Sequence, residues 1–154
     1  MKRARLTDAA LLTLVAQAYT SLEDETLWPG FLQTLVDVIG GSGAVSLRHD
    51  MVSHGVVLSS ASLDPARLAE YQAYYHQVDP WSTSETARRL AVAGAVLTDE
   101  IVVARSRFKR TEFFEFVRPQ GLSRMINATL ARDEAGVSSV SVYRAESDPA
   151  FGHN

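Results

Sequence analysis

Aromatic side chains crowd around one aspartate in the middle of the sequence, and this is where the chain has most chemistry to offer. Tyr71, Tyr74, Tyr75 and Trp81 lie within ten residues of Asp79. Ligand pockets are mostly apolar with a few placed polar groups, which aromatic rings with hydroxyl tips and one carboxylate would supply. One interpretation of these residues is a ligand pocket with Asp79 as its polar anchor. Its expected walls are Tyr71, Tyr75 and Trp81.

The same residues also have an ordinary structural explanation. Asp79 precedes Pro80, and an aspartate before a proline is a common way to cap a new helix. Aromatic residues at helical spacing are more often core than pocket, although a buried tyrosine hydroxyl needs a partner. Capping and ligand binding by Asp79 do not exclude each other, so both interpretations stay open at this stage.

A second polar pattern lies near the end of the sequence, in two strands predicted at 122–131 and 137–144. Small polar residues share one face of this hairpin: Asn127, Thr129, Ser139 and Ser141. If only one face of the sheet is covered, this polar face meets solvent. If helices cover both faces, the polar groups become internal and need partners from protein, water or ligand. Thr129 or Ser139 is then the expected second ligand contact.

Signals for catalysis are few. The sequence has no phosphate-binding loop, nucleophile elbow or HExxH pattern. It has no cysteine, which excludes thiol catalysis, disulfides and cysteine-ligated zinc. His49, Asp50 and His54 flank a predicted turn and could hold a metal, but hairpin histidines are more often exposed. We expect no enzyme, cofactor or metal site, and a small enzyme using His49, His54 or His76 is the weakest alternative.

Composition bounds the class of protein. The chain has 154 residues, the size of one domain, so residues 1–154 are expected to form a single unit. Its 15 basic and 18 acidic side chains give a net charge of -3, which argues against nucleic-acid binding by this chain itself. Asp8 and Gln17 interrupt the first apolar run, which therefore resembles an amphipathic helix more than a signal peptide. No apolar run reaches membrane-spanning length, and we expect a cytoplasmic protein.

Periodicity predicts the elements that position these residues. Helices are expected from a cap at Thr7 or Asp8, at 28–39, from Pro65 to just before Asp79, from Pro80 to about residue 90, and at 106–117. Strands are expected at 44–48, 55–59, 95–97, 122–131 and 137–144. Hairpins at both ends predict an α+β fold, an α/β/α sandwich in type, with a mostly antiparallel five-stranded sheet flanked by helices. PAS and GAF sensor domains have this arrangement.

Several segments resemble the sensor domains of LuxR-type transcriptional regulators. Residues 75–80 are similar to the segment that ends in the Asp-Pro pair of LuxR-type autoinducer-binding domains. Residues 94–100, 112–121 and the closing hairpin resemble a wider group of sensor domains that precede LuxR-type helix-turn-helix modules. The resemblance covers about residues 11–151. It implies a small-molecule-sensing domain that acts as a homodimer and biases an attached DNA-binding module.

The resemblance also implies particular contacts. In autoinducer receptors the family aspartate accepts a hydrogen bond from the amide of an acyl-homoserine lactone, and Asp79 stands at that position. A tryptophan and a tyrosine precede it in those receptors, where this chain has Ala66 and Glu70. We therefore expect a different, unidentified small molecule rather than a standard acyl-homoserine lactone. DNA would be reached only through a C-terminal helix-turn-helix domain that this sequence does not include.

A different class of function stays open beside the sensor. The chain could be a ligand-free dimerisation or protein-interaction module, in which exposed parts of the first helix, including Leu12 and Tyr19, pair between subunits. A core filled by its own side chains would favour this alternative, and a sizeable internal cavity would count against it.

Overall fold

A five-stranded antiparallel sheet forms the centre of the protein. The structure is a computed structural model that describes residues 6–50 and 54–152, without the side chains of 50 and 54–58. The strands are β1 (Gly43–Asp50), β2 (His54–Ala61), β3 (Val96–Thr98), β4 (Arg124–Arg132) and β5 (Gly136–Arg144). Their order across the sheet is β2-β1-β5-β4-β3, and every pairing is antiparallel. The predicted α+β architecture is confirmed.

Two N-terminal helices lie on one side of the sheet, α1 (Asp8–Glu23) and α2 (Trp28–Ile39). Thr7 caps α1 by accepting a hydrogen bond from the backbone N–H of Ala10, as its position before an amphipathic run predicts. Helix α2 ends at Gly40, whose φ of 75° is a left-handed conformation that glycine adopts without steric cost. Leu32 and Val36 of α2 pack on the strands, so this face of the sheet is covered.

The opposite face is covered by six short helices. They are α3 (Pro65–Ala73), α4 (Pro80–Thr83), α5 (Glu85–Leu90), α6 (Asp99–Val102), α7 (Arg105–Phe108) and α8 (Glu112–Val117). Their apolar side chains form an aromatic core whose buried members include Trp81, Phe108, Phe113 and Phe114. Trp81 stacks on Phe108 with ring centroids 4.6 Å apart. Helices therefore pack on both faces of the sheet.

Three predicted helices are shorter or broken. Helix α3 ends at Ala73 instead of continuing to Asp79, and Tyr75–Gln77 forms a separate 3₁₀ helix. The helix predicted from Pro80 is divided at Ser84, which is extended and caps α5. The helix predicted over 106–117 is divided into α7 and α8, and Thr111 is extended and caps α8. At Ser84 and Thr111 a local hydroxyl cap replaces helical continuity, because hydroxyl side chains compete well for free backbone N–H groups, whereas the 3₁₀ helix after α3 has no side-chain cap.

No helix among the described residues is both long enough and apolar enough to cross a membrane.

A candidate ligand-binding cavity

A cavity of about 650 Å³ lies between the sheet and the short helices. Its volume falls within the range of roughly 300–1,000 Å³ that is typical of small-molecule sites. Trp81, Ala87, Leu97, Val102 and Met125 supply apolar walls. The polar lining is supplied from β1, α4, β4 and β5 by His49, Ser82, Thr83, Asn127, Thr129 and Ser139.

A second cavity lies beside Tyr71 and Asp79, and Trp81 borders both spaces. The second cavity measures about 50 Å³, and its lining is mostly apolar. One water needs roughly 10–15 Å³ of such space, so this cavity is large enough for a few waters and too small for a drug-sized molecule. The large cavity is therefore the candidate ligand site.

Asp79 lies at the centre of a hydrogen-bonded cluster. Its buried carboxylate accepts hydrogen bonds from the Trp81 backbone N–H at 2.9 Å, the Tyr71 hydroxyl at 2.8 Å and the Ser82 hydroxyl at 3.2 Å. Burial raises the pKa of Asp79 to about 6, and the three hydrogen bonds oppose that rise. Asp79 thus caps α4, as its position before Pro80 predicts, while its second oxygen holds two side chains.

The cluster extends from Asp79 to the large cavity through Ser82. The Ser82 hydroxyl lies 2.8 Å from Nε2 of His49, which belongs to β1 and also lines the large cavity. Burial, with a smaller contribution from nearby His76, lowers the pKa of His49 to about 4, so its imidazole is neutral at pH 7. The order Tyr71, Asp79, Ser82, His49 therefore forms one chain of hydrogen bonds that ends at the cavity wall.

The four aromatic residues of the predicted pocket separate in the structure. Tyr71 lines the small cavity, and burial beside Asp79 raises the pKa of its hydroxyl well above the usual value. Trp81 borders both cavities. Tyr75 is not among the residues lining either one, because its ring stacks on Phe116 at 3.8 Å in the 3₁₀ helix that follows α3. Tyr74 is exposed and donates a hydrogen bond to Glu112.

The polar hairpin face lies inside the protein. Thr129 and Ser139 are opposite each other on β4 and β5, and both are buried in the lining of the large cavity. The neighbouring pair is satisfied internally, because Asn127 donates a hydrogen bond of 2.9 Å to Ser141. Among residues 6–50 and 54–152, no partner lies within hydrogen-bonding distance of the Thr129 hydroxyl, although Thr129 is only 2 % exposed.

His49 and Ser82 were not predicted as ligand contacts. Alternation along β1 places His49 on the same face as Val45 and Leu47, which are both buried. This pattern is the signal in the sequence that His49 faces the interior, and by itself it does not indicate a ligand contact. The positions that lactone receptors use before the aspartate, Ala66 and Glu70, are exposed, and Glu70 pairs with Arg67 on the helix surface.

Asp79, Ser82 and His49 are hydrogen-bonded to one another, but not in the sequence of contacts that a hydrolase triad uses. His49 and His76 both line the large cavity, so these two histidines of the enzyme alternative lie at the same site. The side chains of Asp50 and His54 lie outside the described residues. In a Ser-His-Asp triad the carboxylate orients the imidazole. Here Asp79 contacts Ser82 instead. Within the described part of the chain no group of three or more His, Asp or Glu side chains is placed to hold a metal.

Solved structures with a similar fold include a ligand-binding domain and two GAF domains. The VqsR ligand-binding domain from Pseudomonas aeruginosa has a TM-score of 0.69 and 16% sequence identity, over 90% of this chain and 82% of that one. The phycoerythrobilin-bound GAF domain of a cyanobacterial phytochrome has a TM-score of 0.55 and 13% identity, over 93% and 83%. The corresponding phycocyanobilin-bound GAF domain has a TM-score of 0.56 and 13% identity, over 94% and 83%. The predicted GAF-like α+β fold is confirmed.

No protein-family model and no curated protein matches the chain. At sequence identities below one in five, the structural similarity establishes the fold and leaves the ligand and the biological role to be argued from the site.

Proposed function

We propose that this chain is the small-molecule-sensing domain of a LuxR-type transcriptional regulator. The ligand binds in the large cavity between the sheet and helices α4 and α5. Binding biases the dimerisation of the domain or the DNA binding of an attached helix-turn-helix module. A ligand shifts such an equilibrium only through its different affinity for the two states, so the cavity must differ in shape or access between them.

The single observation that carries this proposal is the large cavity with the buried, unpartnered Thr129 hydroxyl in its wall. Buried polar groups in native proteins are nearly always satisfied, and an exception needs an explanation. A bound molecule explains both the space and the hydroxyl. The segments that resemble LuxR-type sensors, and the fold shared with a domain named for ligand binding, support the same conclusion.

The proposed ligand is not a standard acyl-homoserine lactone. Two of the three head-group positions of lactone receptors correspond to Ala66 and Glu70, which are exposed in this fold. The third, Asp79, already accepts three hydrogen bonds and borders the small cavity. A ligand in the large cavity would therefore be held by other residues.

Native mass spectrometry of the purified chain, compared with its denatured mass, tests the proposal. We expect an additional non-covalent mass, which fragmentation would then identify. The variant Ser139→Phe fills the cavity and should lose that mass, whereas Ser147→Phe places the same ring on an exposed position and should keep it. A chain that carries no additional mass, and acquires none from a concentrated small-molecule extract of its own cells, would contradict a sensing role.

A second candidate function is a dimerisation module, and it rests on helix α1. The exposed residues Leu12, Val15, Tyr19 and Leu22 follow the alternating three- and four-residue spacing of a coiled-coil seam. Leu12, Tyr19 and Leu22 are 69, 70 and 72% exposed, although they lie on a helix that packs against α2. The size of the internal cavity counts against a purely structural role, but a sensor can use the same seam to dimerise.

Sedimentation equilibrium tests the dimerisation module. We expect a dimer whose dissociation constant rises by at least about a hundredfold in the double variant Leu12→Glu and Leu22→Glu, because two charges would enter an apolar seam. The control Thr13→Glu and Thr20→Glu adds the same charges to exposed positions beside the seam. A wild-type chain that is monomeric at millimolar concentration would contradict this candidate.

A further inference from the structure

The large cavity indicates what kind of molecule it accepts and which residues contact it. We propose that the ligand is an uncharged molecule with a polar group at each end, which accepts a hydrogen bond from Thr129 and donates one to His49. Asp79 acts as a positioning residue, because it fixes the tautomer of His49 through Ser82 without touching the ligand. This inference rests on the proposed sensing function and assigns the contacts within that site.

The distribution of charge in the cavity favours a neutral ligand. The ionised side chains that line it are Arg88, Arg132, Asp133 and Glu134, and all four are exposed. Arg132 is also occupied, since its guanidinium donates to the backbone carbonyls of residues 88 and 91. The less exposed part of the lining includes hydroxyl, amide and apolar side chains and the neutral imidazole of His49. A charged group that entered it would lose its hydration without gaining an opposite charge.

Thr129 is the contact at one end. Its buried hydroxyl has no partner among the described residues, and the residue forms part of the cavity wall. A hydroxyl both donates and accepts hydrogen bonds. A carbonyl, ether or hydroxyl oxygen on the ligand would satisfy it, and the apolar walls around it offer Leu97, Val102 and Met125 to the body of the molecule.

His49 is the contact at the other end, and the cluster determines which hydrogen-bonding role it has. An ionised Asp79 only accepts, so the single proton of Ser82 is donated to Asp79. Ser82 must then accept from His49, which places the imidazole proton on Nε2. The other ring nitrogen, Nδ1, is left as an acceptor in a neutral ring. A ligand hydrogen-bond donor is the group that this tautomer recognises.

The register of the sheet sets the separation of the two contacts. Thr129 on β4 pairs with Ser139 on β5, which pairs with Leu47 on β1, and His49 lies two residues further along β1. Thr129 and His49 are separated by two inter-strand spacings across the sheet and by two residues along β1. Together these put their Cα atoms roughly 12 Å apart on the same face of the sheet. Both ends are therefore reached only by an elongated molecule that crosses three strands.

Three isosteric probes test the charge of the ligand: 6-hydroxy-2-naphthamide, the corresponding naphthoate and the corresponding protonated naphthamidine. Titrations of the isotope-labelled chain, followed by amide chemical shifts, give each dissociation constant and the location of binding. We expect the amide to shift cavity-lining residues and to bind at least about tenfold more tightly than either charged probe. Equal or tighter cavity binding of a charged probe would overturn the neutral-ligand inference while preserving the cavity as a ligand site. If no probe shifts cavity residues, this inference fails, and the proposed function is then decided separately by native mass spectrometry.

Matched changes in probe and protein test the two contacts. The probe 2-naphthamide lacks the hydroxyl of 6-hydroxy-2-naphthamide. In the wild type it should bind about tenfold more weakly than the hydroxylated probe, whereas His49→Phe should bind the two probes equally. Thr129→Val keeps the side-chain shape and should weaken amide binding by a similar factor without lowering the melting temperature of the free chain, since an unsatisfied hydroxyl is removed. If the absence of the probe hydroxyl lowers the affinity equally in the wild type and in His49→Phe, the contact with His49 is overturned.

The nitrogen chemical shifts of His49 test the positioning role of Asp79. We expect the Nε2–H tautomer in the wild type and a shift towards Nδ1–H in Ser82→Ala and in Asp79→Asn. Ser82→Thr keeps the hydroxyl and should restore the wild-type signature. An Nε2–H tautomer that persists in Ser82→Ala and Asp79→Asn would overturn the role, and a loss of stability alone would not move this readout.

Discussion

The hydroxyl of Tyr71 donates a hydrogen bond of 2.8 Å to the carboxylate of Asp79, eight residues further along the chain. This contact joins helix α3 to the start of α4 and helps to keep a buried carboxylate ionised. The same carboxylate oxygen accepts from Ser82, which leads to His49 and the large cavity. The aspartate is therefore a link between α3 and the cavity wall, and its cap on α4 is only one of its roles.

Tyr71→Phe should destabilise the protein mainly above pH 6. The variant leaves the ionised form of Asp79 without one of its three donors, which costs about 1–3 kcal/mol when a buried charged group loses a hydrogen bond. At pH 5, where Asp79 is mostly protonated, the loss should be smaller. Urea unfolding at pH 5 and pH 8 measures the difference. Tyr74→Phe, which removes an exposed hydroxyl bonded to Glu112, is the control and should have little effect at either pH.

Asp79 and His49 should produce opposite dependences of stability on pH. Folding raises the pKa of Asp79 from 3.8 to about 6, so its contribution is fully present below pH 4 and is lost as the pH rises through 6. Folding lowers the pKa of His49 from 6.5 to about 4, so its contribution is present above pH 6.5 and is lost as the pH falls through 4. Each contribution to the free energy of unfolding amounts to about 3 kcal/mol, because a difference of one pKa unit between the folded and unfolded states corresponds to about 1.4 kcal/mol.

Single variants should separate the two dependences between pH 4 and 6.5. The wild type should be nearly flat, because the two contributions oppose each other. Asp79→Asn should become more stable as the pH rises, and His49→Gln should become less stable. The groups that surround this pair are Tyr71, Ser82 and Tyr143 near Asp79, and His76 near His49. Parallel unfolding curves for the two variants would show that these residues do not control the pH response.

Phe108→Ala should cost about 3–5 kcal/mol of unfolding free energy. The ring is 1 % exposed and stacks on Trp81, so its removal leaves a void in the aromatic core beside the cavities. Denaturant unfolding, followed by circular dichroism, measures the loss. Tyr19→Ala removes a ring that is 70% exposed and should change stability by only about 0.5 kcal/mol in the monomer. A comparable loss for both variants would contradict the assignment of Phe108 to the core.

Arg132→Gln should loosen the rim of the large cavity. The guanidinium of Arg132 joins the β4–β5 hairpin to the C-terminal end of α5 through hydrogen bonds to the carbonyls of Arg88 and Ala91, at 2.6 and 3.0 Å. Positive charge at this end of a helix is also favourable. We expect hydrogen exchange at the last turn of α5 to become severalfold faster, with at most about 1 kcal/mol lost overall. Arg89→Gln, an exposed neighbour on α5, should leave the exchange unchanged.

Sequence alone determined the parts of this protein that depend on neighbouring residues. Helix caps were predicted at Asp79 and at Thr7 or Asp8, and Thr7 and Asp79 act as caps, because a cap needs only the backbone groups two or three positions away. Five strands with hairpins at both ends were predicted, the closing hairpin from its period-two alternation, and the sheet confirms the predicted fold. The termination of α2 at Gly40 has the same local origin.

Only the tertiary structure decided where the cavity lies and which side chains border it. The coverage of both sheet faces makes Thr129 and Ser139 internal, and no local pattern distinguishes a covered polar face from a solvent face. Tyr75 lies away from the predicted pocket because its ring stacks on Phe116, a contact between distant segments. The hydrogen bond between Ser82 and His49 joins residues that are 33 positions apart in the sequence. Such a contact depends on how the strand packs against the helix and not on the strand or helix propensity of the residues.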